Sequence, residues 1–173
     1  MNKKNIFLII GVFWIVLIAG FIGIKEFTLR TGTEVLLKTL PVDPRDLFRG
    51  DYVVLRYEVS TINENTFLPN ASAFKVGDSV YVLLDIGSDK IAKAKSISKQ
   101  IPEDSYFMKG TVKNVFGNKL NIEYGIESYF VPEGKGREIE KNIGNIYAKI
   151  AIDKFGNAVI KSLVLDGKEI DLN

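Results

Sequence analysis

The chain contains neither histidine nor cysteine, so any catalysis or metal binding must use other side chains. The missing histidine removes the commonest general base and the commonest transition-metal ligand, and the missing cysteine removes thiolates and disulfides. Carboxylates, lysine, serine, threonine and tyrosine remain for catalysis. No D-x-[DN]-x-[DN]-G calcium loop is present. The sequence therefore predicts no cofactor and no metal site.

The densest group of functional side chains precedes and enters a short alternating segment. Five charged residues fall within nine positions, beside two prolines that stiffen the loop: Asp43, Arg45, Asp46, Arg49 and Asp51. Arginine forks suit carboxylate or phosphate partners. This charged lead-in predicts either a polar binding surface or an internal ion-pair network that holds the loop, and the sequence leaves both interpretations open.

The segment that follows reads as a tight turn and a half-buried strand. Gly50-Asp51 can make the turn, and Val53, Leu55, Tyr57 and Val59 then share one face. A second Gly-Asp pair at 77–78 also leads into an alternating segment, which favours a structural role for the pair. Tyr52, on the opposite face, and Tyr57 remain candidates for binding a ligand or partner.

The run Gly50-Asp51-Tyr52-Val53-Val54-Leu55-Arg56-Tyr57 matches, at every fixed position, the motif that names the GDYXXLXY family of membrane proteins. The lead-in 43–49, the stretch 124–134 and the layout of an anchor followed by a domain are similar to that family as well. The resemblance covers most of the chain. It implies a bacterial membrane protein and no established reaction.

A second candidate patch lies in the stretch 124–134. Strand parity places Glu127 and Tyr129 on one face, opposite Ser128 and Phe130, and Tyr124 and Glu133 flank them. Aromatic and carboxylate groups together can bind sugar or peptide, but they also line ordinary barrel mouths. We therefore keep Glu127, Tyr129 and Glu133 as candidate binding residues without assigning them a reaction.

The N-terminal segment predicts a membrane anchor. Residues 5–24 carry no charge, and twenty helical residues span about 30 Å, the thickness of the bilayer hydrocarbon. Lys3 and Lys4 precede the segment, whereas Lys25 and Glu26 cancel after it. The positive-inside rule then places residues 1–4 in the cytoplasm. A cleaved signal peptide is the competing interpretation, although no A-x-A cleavage site follows.

Beyond a juxtamembrane linker at 25–33, residues 34–173 predict one extracytoplasmic, β-rich domain. Short alternating segments with turn signals every 8 to 12 residues are typical of an antiparallel barrel-like or sandwich fold. Gly117-Asn118 predicts a hairpin turn. Residues 134–142 are the one segment outside the anchor that favours a short helix. The fold class is thus mainly β, preceded by a single transmembrane α-helix.

Charge balance argues against nucleic acid as a partner. Removing Lys3, Lys4 and Lys25 from the 23 basic residues, and Glu26 from the 21 acidic ones, leaves 20 of each in the domain. We expect a non-catalytic binding or accessory protein of the cell envelope. Its expected partners are the bilayer, through residues 5–24, and another integral membrane protein.

Two enzymatic alternatives remain. One is a membrane-bound hydrolase that uses a pair of carboxylates. The other is a degenerate relative of signal-peptidase-like serine proteases, whose nucleophilic serine precedes a similar strand. Here Asp43 precedes Pro44, and no serine lies between Phe27 and Val59. The nucleophile of that protease class is therefore absent from the expected position.

Overall fold

A computed structural model describes residues 3–41, 52–63, 74–103, 105–132, 139 and 142–170. The chain begins with one α-helix, α1, at Lys3–Thr31. The helix is long and apolar enough, by length and composition, to cross a membrane. Its apolar side chains are exposed apart from the half-buried Leu17 and Leu29, and Thr28 is its one buried residue. The helix also includes residues 25–31, which are most of the segment that the sequence predicted to be a linker.

Twelve β-strands follow in the described part of the chain. They are β1 (Thr33–Leu40), β2 (Tyr52–Val54), β3 (Arg56–Tyr57), β4 (Thr61–Asn63), β5 (Ser79–Ile86), β6 (Ala92–Ser98), β7 (Phe107–Phe116), β8 (Lys119–Glu123), β9 (Ser128–Phe130), β10 (Ile146–Ile152), β11 (Ala158–Leu165) and β12 (Lys168–Glu169). Short 3-10 helices lie at Glu58–Ser60 and Ile143–Asn145.

The named strands pair antiparallel throughout. One five-stranded sheet has the order β12-β11-β10-β1-β3, a second has the order β4-β8-β7-β5-β6, and β2 pairs with β9 alone. Together they form a nearly closed, barrel-like β structure. The prediction of a mainly β, antiparallel fold is confirmed, and of the two architectures left open the barrel-like one is observed.

Period-two alternation places the core. Val53, Leu55, Tyr57 and Val59 are each at most 2% exposed, so the predicted inner face of the motif segment is confirmed. Alternate residues of β5 and β10 behave in the same way: Val80, Val82, Leu84, Ile146, Ala148, Ile150 and Ile152. A strand sends successive side chains to opposite faces, so one alternating segment supplies one wall of the core.

The predicted hairpin turn appears where expected, and two further tight connections join the last strands. Gly117, with φ +52°, lies in the two-residue connection between β7 and β8. The connection at 153–157 joins β10 to β11, and Asp166-Gly167 joins β11 to β12. Of the helix predicted at 134–142, only Ile139 and Asn142 lie within the described residues, and both are helical. The rest of that prediction lies outside them.

Candidate functional site

The motif segment passes from one small sheet to a large one within six residues. Its first part, β2, pairs with β9, with Val53 opposite Tyr129 and Val54 opposite Ser128. The backbone N–H of Leu55 donates to Glu127 O at 2.8 Å. Its last part, β3, then pairs with β1, with Tyr57 opposite Thr39. The motif therefore connects the stretch 124–131 to the first strand of the domain.

Tyr57 anchors this connection from inside the core. Its side chain is fully buried, and its hydroxyl donates a hydrogen bond to Ile126 O at 2.5 Å. Burial raises the pKa of Tyr57 far above its usual range, and the nearby charge of Glu127 raises it further. The phenol therefore stays protonated and acts as a fixed donor to the backbone.

Tyr124 makes the reciprocal bond. Its hydroxyl donates to Val59 O at 2.6 Å, and burial, followed by the charge of Glu127, raises its pKa as well. Glu127 Oε1 accepts the backbone N–H of Tyr124 at 2.6 Å. Two segments that the sequence suggested as separate patches are thus one structural unit, which we call the tyrosine lock: Tyr57, Tyr124 and Glu127.

Tyr129 lies at the edge of this unit. It is partly buried, and its pKa is raised first by burial and then by the charge of Glu169. Its neighbours Ser128 and Phe130 are exposed, as strand parity predicted. The remaining candidates, Asp43, Arg45, Asp46, Arg49, Asp51 and Glu133, lie outside the described residues. For Tyr52, only the backbone is described.

A counterpart of the Gly50-Asp51 pair is visible at Gly77-Asp78. Gly77 has φ +92°, a backbone conformation that favours glycine, and Asp78 Oδ2 accepts the backbone N–H of Lys75 at 3.0 Å. Lys99 Nζ lies 2.6 Å from the same oxygen. The hydrogen bond from Lys99 and then that from the Lys75 backbone lower the pKa of Asp78. This pair closes a turn and opens β5, as the sequence indicated.

A shallow polar depression of about 510 Å³ lies beside the tyrosine lock. Its lining comprises Lys109, Gly110, Thr111, Glu123, Tyr124, Gly125, Glu127, Ser128 and Asn157. Within the described ranges, no group of three or more acidic side chains could hold a metal ion. The side chains of this depression, which include Lys109, Glu123 and Glu127, can offer hydrogen bonds and charge to a polar ligand.

A family model described as GDYXXLXY protein matches residues 14–163. The chain belongs to the GDYXXLXY protein family. The match begins inside α1 and ends inside β11, so it includes the last turns of the helix together with most of the β domain. No curated protein and no solved structure matches the chain.

In this member of the GDYXXLXY family, two fixed positions of the motif, Leu55 and Tyr57, are buried structural residues. Of the two variable positions between Tyr52 and Leu55, Val53 is buried and Val54 is 41% exposed. On the paired strand β9, Ser128 lies opposite Val54, and Phe130, two residues farther along the same face, is 60% exposed. The outer face of the β2–β9 pair therefore presents apolar surface.

A second recess was not foreseen from the sequence. A mostly apolar crevice of about 1090 Å³ lies between α1 and the β domain. The helix contributes Gly20, Gly23, Ile24, Phe27, Thr28 and Thr31. The domain contributes residues from the β6–β7 and β10–β11 connections, among them Pro102, Tyr106, Asp153, Lys154 and Phe155. The apolar and aromatic residues of these two connections were the feature of the sequence that could have indicated this crevice.

The crevice reaches the junction of helix and domain, because Thr31 and Thr33 are among its lining residues. Gly32 is the single residue between α1 and β1, and its backbone N–H donates to Thr28 O at 2.9 Å. Thr28 Oγ1 lies 3.1 Å from Ile24 O and 3.5 Å from Asp153 Oδ2. α1 packs against β10 and β11 here. The direction in which the helix leaves the domain is therefore set by packing.

Proposed function

We propose that this protein is a bacterial, membrane-anchored binding or accessory protein whose β domain stands outside the cytoplasmic membrane. In this proposal α1 crosses the bilayer with its N-terminus in the cytoplasm, and the domain binds another integral membrane protein without catalysing a reaction. The junction of α1 and β1 is the observation that carries the proposal. One connecting residue and a buried Thr28 hold the domain at a set distance and orientation from the helix.

The chemical groups suggested by the sequence support a non-catalytic role. The Tyr57 and Tyr124 hydroxyls each donate to a backbone carbonyl, and Glu127 accepts a backbone N–H. Groups held in such bonds stabilise a fold, whereas a general base needs a geometry that reaches a substrate proton. An anchor also restricts the domain to the membrane surface, which raises its effective concentration toward other membrane proteins.

The outer face of the β2–β9 pair is the contact surface that we propose. Val54 and Phe130 are large apolar residues exposed on adjacent strands, and interface cores are enriched in aromatic residues. A photo-crosslinking amino acid at Val54 in living cells is expected to capture one discrete integral membrane protein. The same probe at Lys93, which is exposed on β6, serves as the control and is expected to capture none.

Equal capture from both positions, or capture of no membrane protein from Val54, would contradict the contact surface. Orientation is tested separately, because the chain has no cysteine of its own. A cysteine at exposed Lys168 is expected to react with a membrane-impermeant thiol reagent in intact cells. A cysteine at Asn2 is expected to react only after permeabilisation. The reverse pattern would overturn the proposed topology.

A further inference from the structure

The lining of the crevice between α1 and the domain includes apolar and polar residues, and its polarity changes along the helix. The helical positions Gly20, Gly23, Ile24, Phe27, Thr28 and Thr31 face it. These residues extend over about 16 Å of helix at 1.5 Å rise per residue. The deeper half of the helical wall is glycine and apolar side chains, and the half nearer the domain includes two threonines. The crevice thus changes from apolar to partly polar in the direction that leads out of the proposed bilayer.

The two glycines make room in the deeper half. A Cβ atom built at Gly20 or Gly23 would meet nothing within 4 Å, so the space beside the helix is open there. On the proposed topology these residues lie within the outer leaflet, because the uncharged segment ends at residue 24. The medium that reaches this part of the crevice is therefore lipid.

The rim carries groups that suit a phospholipid headgroup region. Tyr106 and Phe155, from the two connections of the domain, are 56% and 57% exposed. Amphipathic and aromatic side chains of this kind are enriched at membrane–water interfaces. Lys154 is exposed beside them, with Nζ 5.1 Å from the centre of the Phe155 ring. An exposed ammonium at this depth can pair with a lipid phosphate.

The acidic group of the crevice is already satisfied by its own loop. Asp153 Oδ1 accepts the backbone N–H groups of Phe155 and Asn157, each at 2.9 Å. Asp153 Oδ2 accepts Asn157 Nδ2 at 2.8 Å. These bonds fix the β10–β11 connection, which places Lys154 and Phe155 at the rim. They also occupy both carboxylate oxygens of Asp153.

From this arrangement we infer that the crevice binds one membrane phospholipid. An acyl chain lies along Gly20 and Gly23, and the phosphate lies near Lys154. The inference rests on the proposed membrane anchoring of α1. It adds that the domain recognises the outer leaflet directly, so that the lipid occupies the space between helix and domain and supports their packing.

The test compares matched glycine substitutions in the full-length protein. Gly20→Leu fills the deeper half of the crevice. Gly11→Leu is the control, because nothing lies within 4 Å of its Cβ position and nine residues of helix place it on the opposite face. Each protein is extracted in mild detergent with added phosphatidylglycerol and examined by native mass spectrometry. Wild type and Gly11→Leu are expected to retain one phospholipid.

Gly20→Leu is expected to lower the ratio of lipid-bound to lipid-free protein about tenfold, equivalent to about 1.4 kcal/mol of binding free energy. Lys154→Gln is expected to lower retention of phosphatidylglycerol more than that of phosphatidylcholine. Equal retention by Gly20→Leu and Gly11→Leu would overturn the inference, as would a wild-type protein that retains no lipid or retains a second copy of the chain instead.

Fractionation of a detergent-free lysate separates this failure from failure of the proposed function. If the wild-type chain stays in the supernatant, both the anchoring and the lipid site are wrong. If the chain sediments with membranes but retains no phospholipid, only the lipid site is wrong.

Discussion

At the scale of single residues, the tyrosine lock joins two stretches of the chain that the sequence suggested as separate candidate patches. Tyr57 and Tyr124 donate to backbone carbonyls 69 and 65 positions away in the chain. Each bond joins the motif segment to the stretch 124–126. A buried phenol that donates to a carbonyl satisfies two polar groups at once, whereas loss of the phenol hydroxyl leaves a buried carbonyl without its donor.

Tyr57→Phe is therefore expected to lower the free energy of unfolding by about 1–3 kcal/mol, because Ile126 O loses its buried donor. Thermal or denaturant unfolding of the full-length protein in detergent measures the change. Tyr106→Phe is the control: its ring is 56% exposed, and the expected change is within about 0.5 kcal/mol. Equal stability of wild type and Tyr57→Phe would show that the lock does not support the fold.

On the sheet β12-β11-β10-β1-β3, acidic and basic side chains form a chain of alternating charges, which we call the charge chain. It runs across β1, β10, β11 and β12. Glu34 Oε1 lies 2.6 Å from Lys161 Nζ, and its Oε2 lies 3.5 Å from Lys149 Nζ. Lys149 Nζ also lies 2.9 Å from Glu169 Oε1. The hydrogen bond from Lys161 is the main cause of the lowered pKa of Glu34, and that from Lys149 is the main cause for Glu169.

These shifts predict a loss of stability in acid. A carboxyl whose folded pKa lies below its ordinary value of 4.5 stabilises the fold above that pH. The contribution disappears as the pH falls through the folded pKa. The Tm is expected to fall as the pH drops below about 5, and to fall less steeply in Glu34→Gln. Glu103→Gln, which changes an exposed carboxyl in a loop, is the control and should keep the wild-type slope of Tm against pH. If Glu34→Gln also kept the wild-type slope, the role of the charge chain would be contradicted.

At the scale of elements, the connection between α1 and β1 determines how helix and domain are joined. The backbone passes very close to its neighbours at Gly32. A Cβ atom there would lie 2.6 Å from Thr28 O and 2.9 Å from Ile152 O. Both neighbours are backbone atoms, so they cannot move aside as a flexible side chain would. Only glycine lets the helix end and the strand begin within one residue.

Gly32→Ala is therefore expected to destabilise the domain by about 1–3 kcal/mol through overpacking against the backbone. The matched substitution Gly11→Ala should cause no loss, since the space around Gly11 is open. Unfolding monitored by the domain's β signal in circular dichroism makes the comparison. If Gly32→Ala were as stable as Gly11→Ala, the tight junction would not be required for folding.

The hairpins and alternating strands show why element-level prediction succeeded. Strand parity depends only on the residues of one segment, and the positive φ at Gly117 depends only on its own turn. Pairings such as β2 with β9 depend on two segments more than 70 positions apart in the chain, and no local pattern specifies them. The sequence therefore predicted the individual strands and turns reliably, but it did not predict which distant strands pair.

At the scale of the whole molecule, the proposed membrane location depends on α1 staying attached to the domain. In the proposal, α1 remains attached as an anchor and is not removed as a signal peptide. The full-length chain is then expected to sediment with membranes after lysis without detergent. Its intact mass is expected to include α1. A mature protein whose mass lacks residues 1–24, or a chain that stays in the supernatant, would contradict the anchor.

The sequence by itself determined the apolar helix, the mainly β antiparallel character, the buried face of the motif strand and the family. Each of these follows from composition, from a short period or from a contiguous motif, which are properties that neighbouring residues share. The tertiary structure alone decided that Tyr57 and Tyr124 lock two distant segments together. It alone placed a crevice between α1 and the domain. Both features depend on which surfaces meet after the chain folds, because burial and long-range hydrogen bonds arise from pairs of segments.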